Sequence, residues 1–138
     1  MKKISFSISL FFIFSLSSLA QSYHTYFTNT ACRIDFLLCG NATTTAAYLD
    51  KIKEEPFWGG RRSGLATDLN LGEYRFQVTD SATNDLIYTD GFSTLYFEWQ
   101  TSDEAKRLNK SYEQTIQFPF PKNPVKVTIE KRLDFDKW

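Results

Sequence analysis

The sequence predicts an all-β fold, namely an antiparallel β-sandwich of about six to eight strands with one or two short helices. Several segments alternate apolar and polar residues with a period of two, which is typical of strands with one buried face. Clusters of turn-forming residues separate these segments at short intervals. The chain has 138 residues, of which 17% are aromatic, and this is enough for one domain around one core.

The first twenty residues have the pattern of a secretory signal peptide. Lys2 and Lys3 precede an apolar run at 4–16 that only serines interrupt, and small residues at 18 and 20 suit a cleavage site. We therefore expect export to the periplasm, the cell surface or the medium. Residues 21–138 are then expected to form a single domain. No second apolar run is long enough to span a bilayer.

The predicted strands follow one another along the mature chain. Residues 31–38 are almost uniformly apolar, which favours a central strand, whereas 46–52 and 86–88 are weaker candidates. The clearest alternation lies in 74–79, 112–118 and 125–130. The run DSATND at 80–85 predicts a hairpin turn, and three prolines at 119, 121 and 124 mark the connection into the last strand.

An aromatic-rich stretch at 91–100, GFSTLYFEWQ, fits two local structures. Four of its apolar residues have the spacing of one helix face: Phe92, Leu95, Tyr96 and Trp99. Alternate residues from 95 to 99 also fit a strand. In either case we expect the aromatic side chains to pack over an open end of the sandwich. Just beyond them, Thr101 and Glu104 resemble a capping box, which predicts a short surface helix from Ser102 to about Asn109.

The two cysteines, Cys32 and Cys39, belong to one predicted strand. Seven residues of strand span roughly 23 Å. A disulfide needs Cα atoms about 5.5–6 Å apart. An internal bridge is therefore not expected, and the two side chains are interpreted as small buried hydrophobic groups.

The residues needed for common catalytic and metal sites are absent from the sequence. One histidine, His24, and two strand cysteines do not make a usual zinc site. There is no H-E-x-x-H, no G-x-S-x-G and no phosphate-binding glycine loop. We expect no catalytic residue, no metal and no cofactor. Without the leader the chain has 14 basic and 16 acidic residues, so nucleic acid is not an expected partner.

Two places in the sequence are candidates for binding or docking. The loop Phe57-Trp58-Gly59-Gly60-Arg61-Arg62 combines an aromatic ring, flexible glycines and two guanidinium groups, which suits carboxylates or sugars. Its alternative is that Trp58 fills the core while Arg61 and Arg62 face solvent or acidic neighbours. The second place is Trp99, for which core packing is the favoured alternative.

Several motifs together resemble a known family. They are CRIDFLLCGN (32–41), YLDKI (48–52), PFWGGRR (56–62), DLIYTDGFSTLYFEWQTSDEA (85–105) and SYEQTIQFPFPKNPVKVTIEKR (111–132). In this order they resemble the N-terminal domain of the IgA-protease-like zinc metallopeptidases of gut Gram-negative bacteria, family sixty-four of the metallopeptidases. The likeness extends over roughly residues 23–132.

The resemblance implies a non-catalytic β-sandwich that precedes a zinc endopeptidase domain bearing the H-E-x-x-H motif. The expected function is that of an exported accessory domain, which positions the catalytic domain, in cis or in trans, or binds protein substrate such as a glycoprotein. The alternative is a free-standing secreted module that binds glycans or glycoproteins. Asp80-Ser81-Ala82 also resembles an acceptor for periplasmic O-glycosylation in some of these bacteria, although an ordinary turn explains the same residues.

Overall fold

The computed structural model describes residues 23–67, 69, 71–134 and 137–138, and the predicted leader at 1–20 lies outside them. The elements, in chain order, are α1 (Tyr23–Tyr26), β1 (Phe27–Gly40), β2 (Thr45–Glu55), β3 (Tyr74–Asp80), β4 (Leu86–Phe92), α2 (Leu95–Gln100), β5 (Lys110–Pro121) and β6 (Val125–Lys131). The strands form two three-stranded antiparallel sheets, ordered β2-β1-β5 and β4-β3-β6. This confirms the predicted all-β sandwich.

The first sheet is built around β1, the predicted central strand. β1 pairs with β2 on one side and with β5 on the other. Its inner face carries Ile34, Phe36 and Leu38, all of which are buried. The weak prediction of a strand at 46–52 is confirmed as part of β2, and the alternating segment at 112–118 lies within β5.

The second sheet follows its sequence pattern closely. Along β3, Tyr74, Phe76 and Val78 are buried, and the residues between them are partly exposed. The predicted hairpin joins β3 to β4. In this turn the carboxylate of Asp80 accepts hydrogen bonds from the backbone N–H groups of Ala82 and Thr83 at 2.9 and 3.0 Å. The turn chemistry therefore works as the residue types predict.

The core between the sheets is largely aromatic, and Tyr88 on β4 lies at its centre. Its ring centroid lies 5.7 Å from that of Phe76 on β3 and 6.3 Å from that of Phe118 on β5. Phe27, at the start of β1, meets the Tyr88 ring edge-on at 6.5 Å. Because these rings come from both sheets, their packing holds the two sheets together.

The predicted helix at Ser102–Asn109 is wrong. The helix of this region is α2, which begins seven residues earlier, at Leu95. Its N-cap is Thr94, whose hydroxyl accepts from the backbone N–H of Phe97 at 3.0 Å. Residues 101–107 form turns instead. Glu104 does not complete a capping box, because its carboxylate binds the indole N–H of Trp99. The helical alternative for the aromatic stretch is therefore the one that forms.

Both cysteines are free thiols on β1, as the spacing predicts. Cys32 is buried, and this burial raises the pKa of its thiol to about 11. Cys39 is partly exposed near the other end of the strand, so the interpretation as a buried hydrophobic group is correct for Cys32 and wrong for Cys39. A neutral, buried thiol is a poor nucleophile, because the thiolate is the reactive form.

We expect a thiol reagent to label Cys39 alone in the native protein at pH 8. Cys32 should react only when the domain is unfolded in denaturant, since unfolding removes the burial that keeps its thiol neutral. Counting labels by intact mass, with Cys39→Ser as the control variant, checks this expectation. Rapid labelling of Cys32 in the native Cys39→Ser protein would show that β1 is not buried as described.

Candidate functional site

The loop at 57–62 is fixed to the sandwich through Trp58. The backbone N–H of Trp58 donates to the carbonyl of Asn29 at 2.7 Å, and its indole N–H donates to the carbonyl of Arg61 at 2.9 Å. Its ring meets Tyr88 edge-on, with centroids 6.0 Å apart. Trp58 is therefore partly core, as one of its two predicted roles requires, and its remaining surface faces a neighbouring hollow.

Arg61 points into the protein and braces the loop that follows it. Its guanidinium donates to the carbonyls of Gly64 at 2.9 Å and Leu65 at 3.4 Å, and also to the carbonyl of Thr89 on β4. The same group lies over the Tyr88 ring, 5.0 Å from its centroid. These contacts occupy both terminal nitrogens, so the guanidinium is committed to holding residues 64–67 against the edge of β4.

Arg62 is exposed, in contrast to its neighbour. Its Nη1 donates to the side-chain oxygen of Asn29 at 2.9 Å, and its guanidinium lies over the Tyr23 ring at 5.0 Å. These are surface contacts that a ligand could exchange at low cost. Of the two predicted guanidinium groups, Arg62 is the one placed where a partner can reach it.

A hollow of about 550 Å³ lies beside this loop. Its wall consists of the side chains of Phe57 and Trp58, and Tyr88 and Ala31 contribute further apolar surface. The polar groups that line it come from β1, the end of β2, β4 and β5, and they are, in this order, Arg33, Glu55, Asp90 and Gln117. Phe57 is 74% exposed, which is unusual for a phenylalanine and leaves one ring face free at the rim.

The polar groups of the hollow carry charges of both signs. Arg33 Nη1 lies 3.7 Å from a carboxylate oxygen of Glu55. The Tyr88 hydroxyl donates to Asp90 at 3.2 Å, and burial raises the pKa of Tyr88 to about 12, so the phenol stays protonated and keeps donating. Exposed aromatic carbon beside fixed donors and acceptors suits binding of a peptide or a sugar rather than acid–base chemistry.

Gly60 lets the loop fold over the Trp58 indole. A Cβ at position 60 would overlap that ring, whereas a Cβ at Gly59 would meet its nearest neighbour, the Phe57 ring, at an ordinary 3.7 Å. We therefore expect Gly60→Ala to displace the indole and to destabilise the domain by about 1–3 kcal/mol, as overpacking does. Gly59→Ala, the matched control, should change stability by less than about 0.5 kcal/mol. Urea titrations of both variants check this, and equal stabilities would contradict the close approach.

Trp99 lies far from this hollow, at the other end of β1. Its indole N–H donates to Glu104 at 2.7 Å, and its ring packs on Tyr96 and Tyr112 with centroids 5.8 and 5.7 Å away. The hydrogen bond from Lys110 holds the pKa of Glu104 below its usual value, so this carboxylate stays charged and keeps both partners. Trp99 is thus partly buried in a local aromatic cluster that attaches α2 to β5.

Ser81 lies at the exposed tip of the β3–β4 hairpin, where a modifying enzyme can reach it. Its backbone N–H donates to the carbonyl of Pro124 at 3.1 Å. The preceding carboxylate, Asp80, is occupied by the turn's own N–H groups. Both earlier interpretations of this tripeptide, an ordinary turn and an O-glycosylation acceptor, are compatible with this placement.

The described residues were also compared with the requirements of a metal site and of a membrane-spanning helix. Within the described part of the chain, no group of three His, Cys, Asp or Glu side chains is placed to hold a metal ion. No helix among the described residues is long and apolar enough to cross a membrane.

Comparison with protein families gives one match. The model of the peptidase M64 N-terminus matches residues 22–137, which is most of the chain. The chain belongs to the peptidase M64 N-terminus family. Comparison with curated proteins finds no match. The resemblance inferred from the motifs is thereby confirmed, and the part of the M64 peptidases that the match identifies is the N-terminal domain.

Sequence reasoning found the loop of this M64 N-terminal domain but missed most of the hollow beside it. Phe57 was part of the predicted loop, although its exposure at the rim was not predicted. Arg33 and Gln117 could not be linked, because only the pairing of β1 with β5 places them opposite each other. Asp90 is in the second sheet, so its place in the hollow depends on how the two sheets pack.

Proposed function

We propose that this M64 N-terminal domain is an exported, non-catalytic accessory domain that docks a metallopeptidase catalytic domain through the hollow beside Phe57 and Trp58. The observation that supports the accessory role is the family match over residues 22–137. Export is supported by the leader pattern of the first twenty residues.

The hollow is the surface that suits such docking best. It combines an exposed aromatic ring, Phe57, with a partly buried anchor, Trp58, and it is rimmed by charges of both signs. Aromatic anchors surrounded by polar groups are the usual energetic centres of protein interfaces. The exposed guanidinium of Arg62 lies on the same loop, where it can pair with a carboxylate of the partner.

Calorimetric titration of the domain with a separately produced M64 catalytic domain tests this proposal. The wild-type domain should bind, and Phe57→Ser should weaken binding by at least about tenfold, as loss of an interface anchor does. Leu95→Ser is the matched control, because Leu95 is 69% exposed on α2, at the opposite end of β1. Absence of wild-type binding contradicts docking in trans, and equal losses in both variants contradict the assignment to the hollow.

Glycan or glycoprotein binding is the second candidate function for the same surface. The observation in its favour is that two aromatic rings adjoin two carboxylates, Glu55 and Asp90, and one amide, Gln117. Such sets hold a sugar by contact with its C–H face and by hydrogen bonds to its hydroxyls. Titration with mucin glycopeptides separates the two functions, because a docking surface for a protein domain has no reason to bind free glycopeptide.

Ser81 is included in the proposal as an O-glycosylation site. Its support is the Asp80-Ser81-Ala82 tripeptide together with its exposure at the hairpin tip. The expected result is that the domain isolated from its native host has a greater mass than its mature sequence, and that Ser81→Ala removes the excess. A native mass equal to that of the unmodified mature chain contradicts modification.

A further inference from the structure

The outer edges of the two sheets differ in how well they are protected against pairing with another strand. The outer edge of β4 is covered, because the N–H of Thr89 donates to the carbonyl of Leu65 at 2.9 Å and the carbonyl of Thr89 accepts from Arg61. The outer edge of β5 ends in Pro119 and Pro121, which have no N–H to donate. Both features are recognised defences of an edge strand.

β2 is protected by its own shape. A β-bulge interrupts its pairing with β1, because Asp35 lies opposite Lys51 while Phe36 lies opposite Leu49, which leaves Asp50 as the extra residue. The strand is exposed along nearly its whole length and carries two lysines, Lys51 and Lys53. A bulge and lysines both disfavour the addition of a further strand.

β6 carries two lysines, Lys126 and Lys131, but it has no bulge, no proline and no covering loop among the described residues. All of its residues from Val125 to Lys131 pair with β3 in one unbroken register. It contains no proline, no glycine and no bulge. Among the described residues, no strand pairs with its outer edge. Among the described strands, β6 is therefore the outer edge that is regular along its whole length and is neither interrupted by a bulge or proline nor covered by a loop.

An uncovered apolar groove adjoins this edge. Because of the bulge, Leu49 and Ile52 both lie on the inner face of β2, opposite the buried Phe36 and Ile34, yet they are 64% and 58% exposed. The groove has a volume of about 330 Å³, and its opposite wall is the inner face of β6. The β4-β3-β6 sheet thus stops one strand short of covering β2.

We propose that a second copy of this chain supplies the missing strand, through antiparallel pairing of β6 with β6 of that copy. The twofold axis passes through Thr128. In this register each Val127 lies opposite Ile129 of the second copy on the inner face, and each Lys126 lies opposite Glu130 on the outer face. The assignment goes beyond the proposed function and does not depend on it.

The charges on the outer face of β6 favour a second copy of this chain as the partner, and they favour one register of pairing. Lys126 is exposed and has no hydrogen bond or ion pair with any described residue, so it is free to bind a carboxylate. Glu130 uses one carboxylate oxygen to bind Arg75 at 2.7 Å and keeps the other available. Shifting the register by two residues in one direction places Lys126 opposite Thr128, and in the other direction opposite Arg132. Only the central register forms both ion pairs and a Thr–Thr pair, which are favourable cross-strand combinations.

The pairing also covers the groove. The two β4-β3-β6 sheets become one continuous six-stranded sheet, and the β6 strand of each copy lies beside the open side of the other copy's groove. The apolar side chains Leu49 and Ile52 are then shielded by the partner's Val127 and Ile129. Burial of apolar surface, together with a new ladder of backbone hydrogen bonds, provides the driving force. Such an interface is isologous and closes at a dimer.

Disulfide trapping in the mature chain tests the register. Thr128→Cys, in a Cys39→Ser background, should give a cross-linked dimer under mild oxidation, because directly opposed Cα atoms lie about 4.5–5.5 Å apart, within disulfide range. Asn123→Cys in the same background is the control, since Asn123 is exposed just before β6 and its two copies would lie at opposite ends of the paired strands, out of disulfide range. Cross-linking of the Thr128 variant alone supports the proposal. No cross-linking, or equal cross-linking of both variants, overturns it.

Sedimentation of the uncross-linked protein gives a second, independent readout. The wild-type chain should reach twice its monomer mass at high concentration. Lys126→Glu creates two like-charge pairs and should weaken self-association about tenfold. Lys106→Glu makes the same charge change on the turn after α2 and should have no effect. A wild-type protein that stays monomeric, or a groove that binds the M64 catalytic domain in place of a second copy, overturns the dimer.

Discussion

Replacing Arg61 with alanine is expected to lower the free energy of unfolding by about 2–3 kcal/mol, which is a large effect for a residue in a surface loop. The guanidinium donates to the carbonyls of Gly64, Leu65 and Thr89 and lies over the Tyr88 ring. Alanine leaves the carbonyl of the buried residue Thr89 without its donor, whereas the carbonyls of Gly64 and Leu65 keep the backbone N–H groups of Thr67 and Thr89. Urea titration followed by tryptophan fluorescence measures the loss.

Arg62→Ala is the matched control for this prediction. Arg62 is exposed, and its contacts with Asn29 and Tyr23 are surface contacts, so its loss should cost less than about 1 kcal/mol. Arg61→Lys should recover only part of the stability, because an ammonium cannot reproduce the fork of a guanidinium. Equal effects of Arg61→Ala and Arg62→Ala would show that Arg61 is a surface residue and not the brace described.

Tyr96→Ala is expected to cost about 4 kcal/mol, which is typical of removing a fully buried aromatic ring. Tyr96 is inaccessible to solvent, and its ring packs on Trp99 and Tyr112. Its hydroxyl donates to the carbonyl of Thr44 at 3.0 Å, which attaches α2 to the β1–β2 turn. Tyr96→Phe keeps the ring and should cost about 1 kcal/mol for the hydrogen bond alone.

The neighbouring residue supplies the control for Tyr96. Leu95 is 69% exposed on the same helix, so Leu95→Ala should change stability by no more than about 0.5 kcal/mol. Both variants can be followed by thermal unfolding. If Tyr96→Ala unfolds at the same temperature as the wild type, then α2 is not anchored in the core and the structural role assigned to the aromatic stretch is wrong.

Several strands could be predicted from sequence because their apolar and polar residues alternate. In β3 and β6 the apolar and polar residues alternate without a break, so the pattern alone determines which face is buried. β1 is buried more continuously because strands pair with it on both sides, and its apolar run predicted a central position. Both predictions rest on the local residue composition and on the period with which apolar residues recur along the strand.

The helix prediction failed because two possible N-cap residues lie only seven positions apart. Thr94 and Thr101 can both cap a helix, and Thr101 is followed by the stronger capping-box pattern. Packing decides between them, since a helix starting at Thr94 buries Tyr96 against the β1–β2 turn. Burial of one aromatic ring is worth more than a cap on an exposed segment.

The hollow and the groove could not be predicted, because both depend on relations between strands that are distant in sequence. Leu49 and Ile52 differ by three positions, so a regular strand would place them on opposite faces. The bulge at Asp50 brings them to the same face, and no residue type in β2 marks that bulge. Likewise, the burial of the Arg61 guanidinium depends on the approach of β4, which the sequence of the loop does not show.

The central claim is that this M64 N-terminal domain assists a metallopeptidase and performs no catalysis itself. The most direct test measures kcat/KM of an M64 catalytic domain on a protein substrate, with and without saturating amounts of the mature domain. We expect the domain to raise kcat/KM on the protein substrate, to leave hydrolysis of a short peptide unchanged, and to hydrolyse nothing when assayed alone with zinc. Hydrolysis by the domain alone, or an unchanged kcat/KM at saturation, would contradict the account.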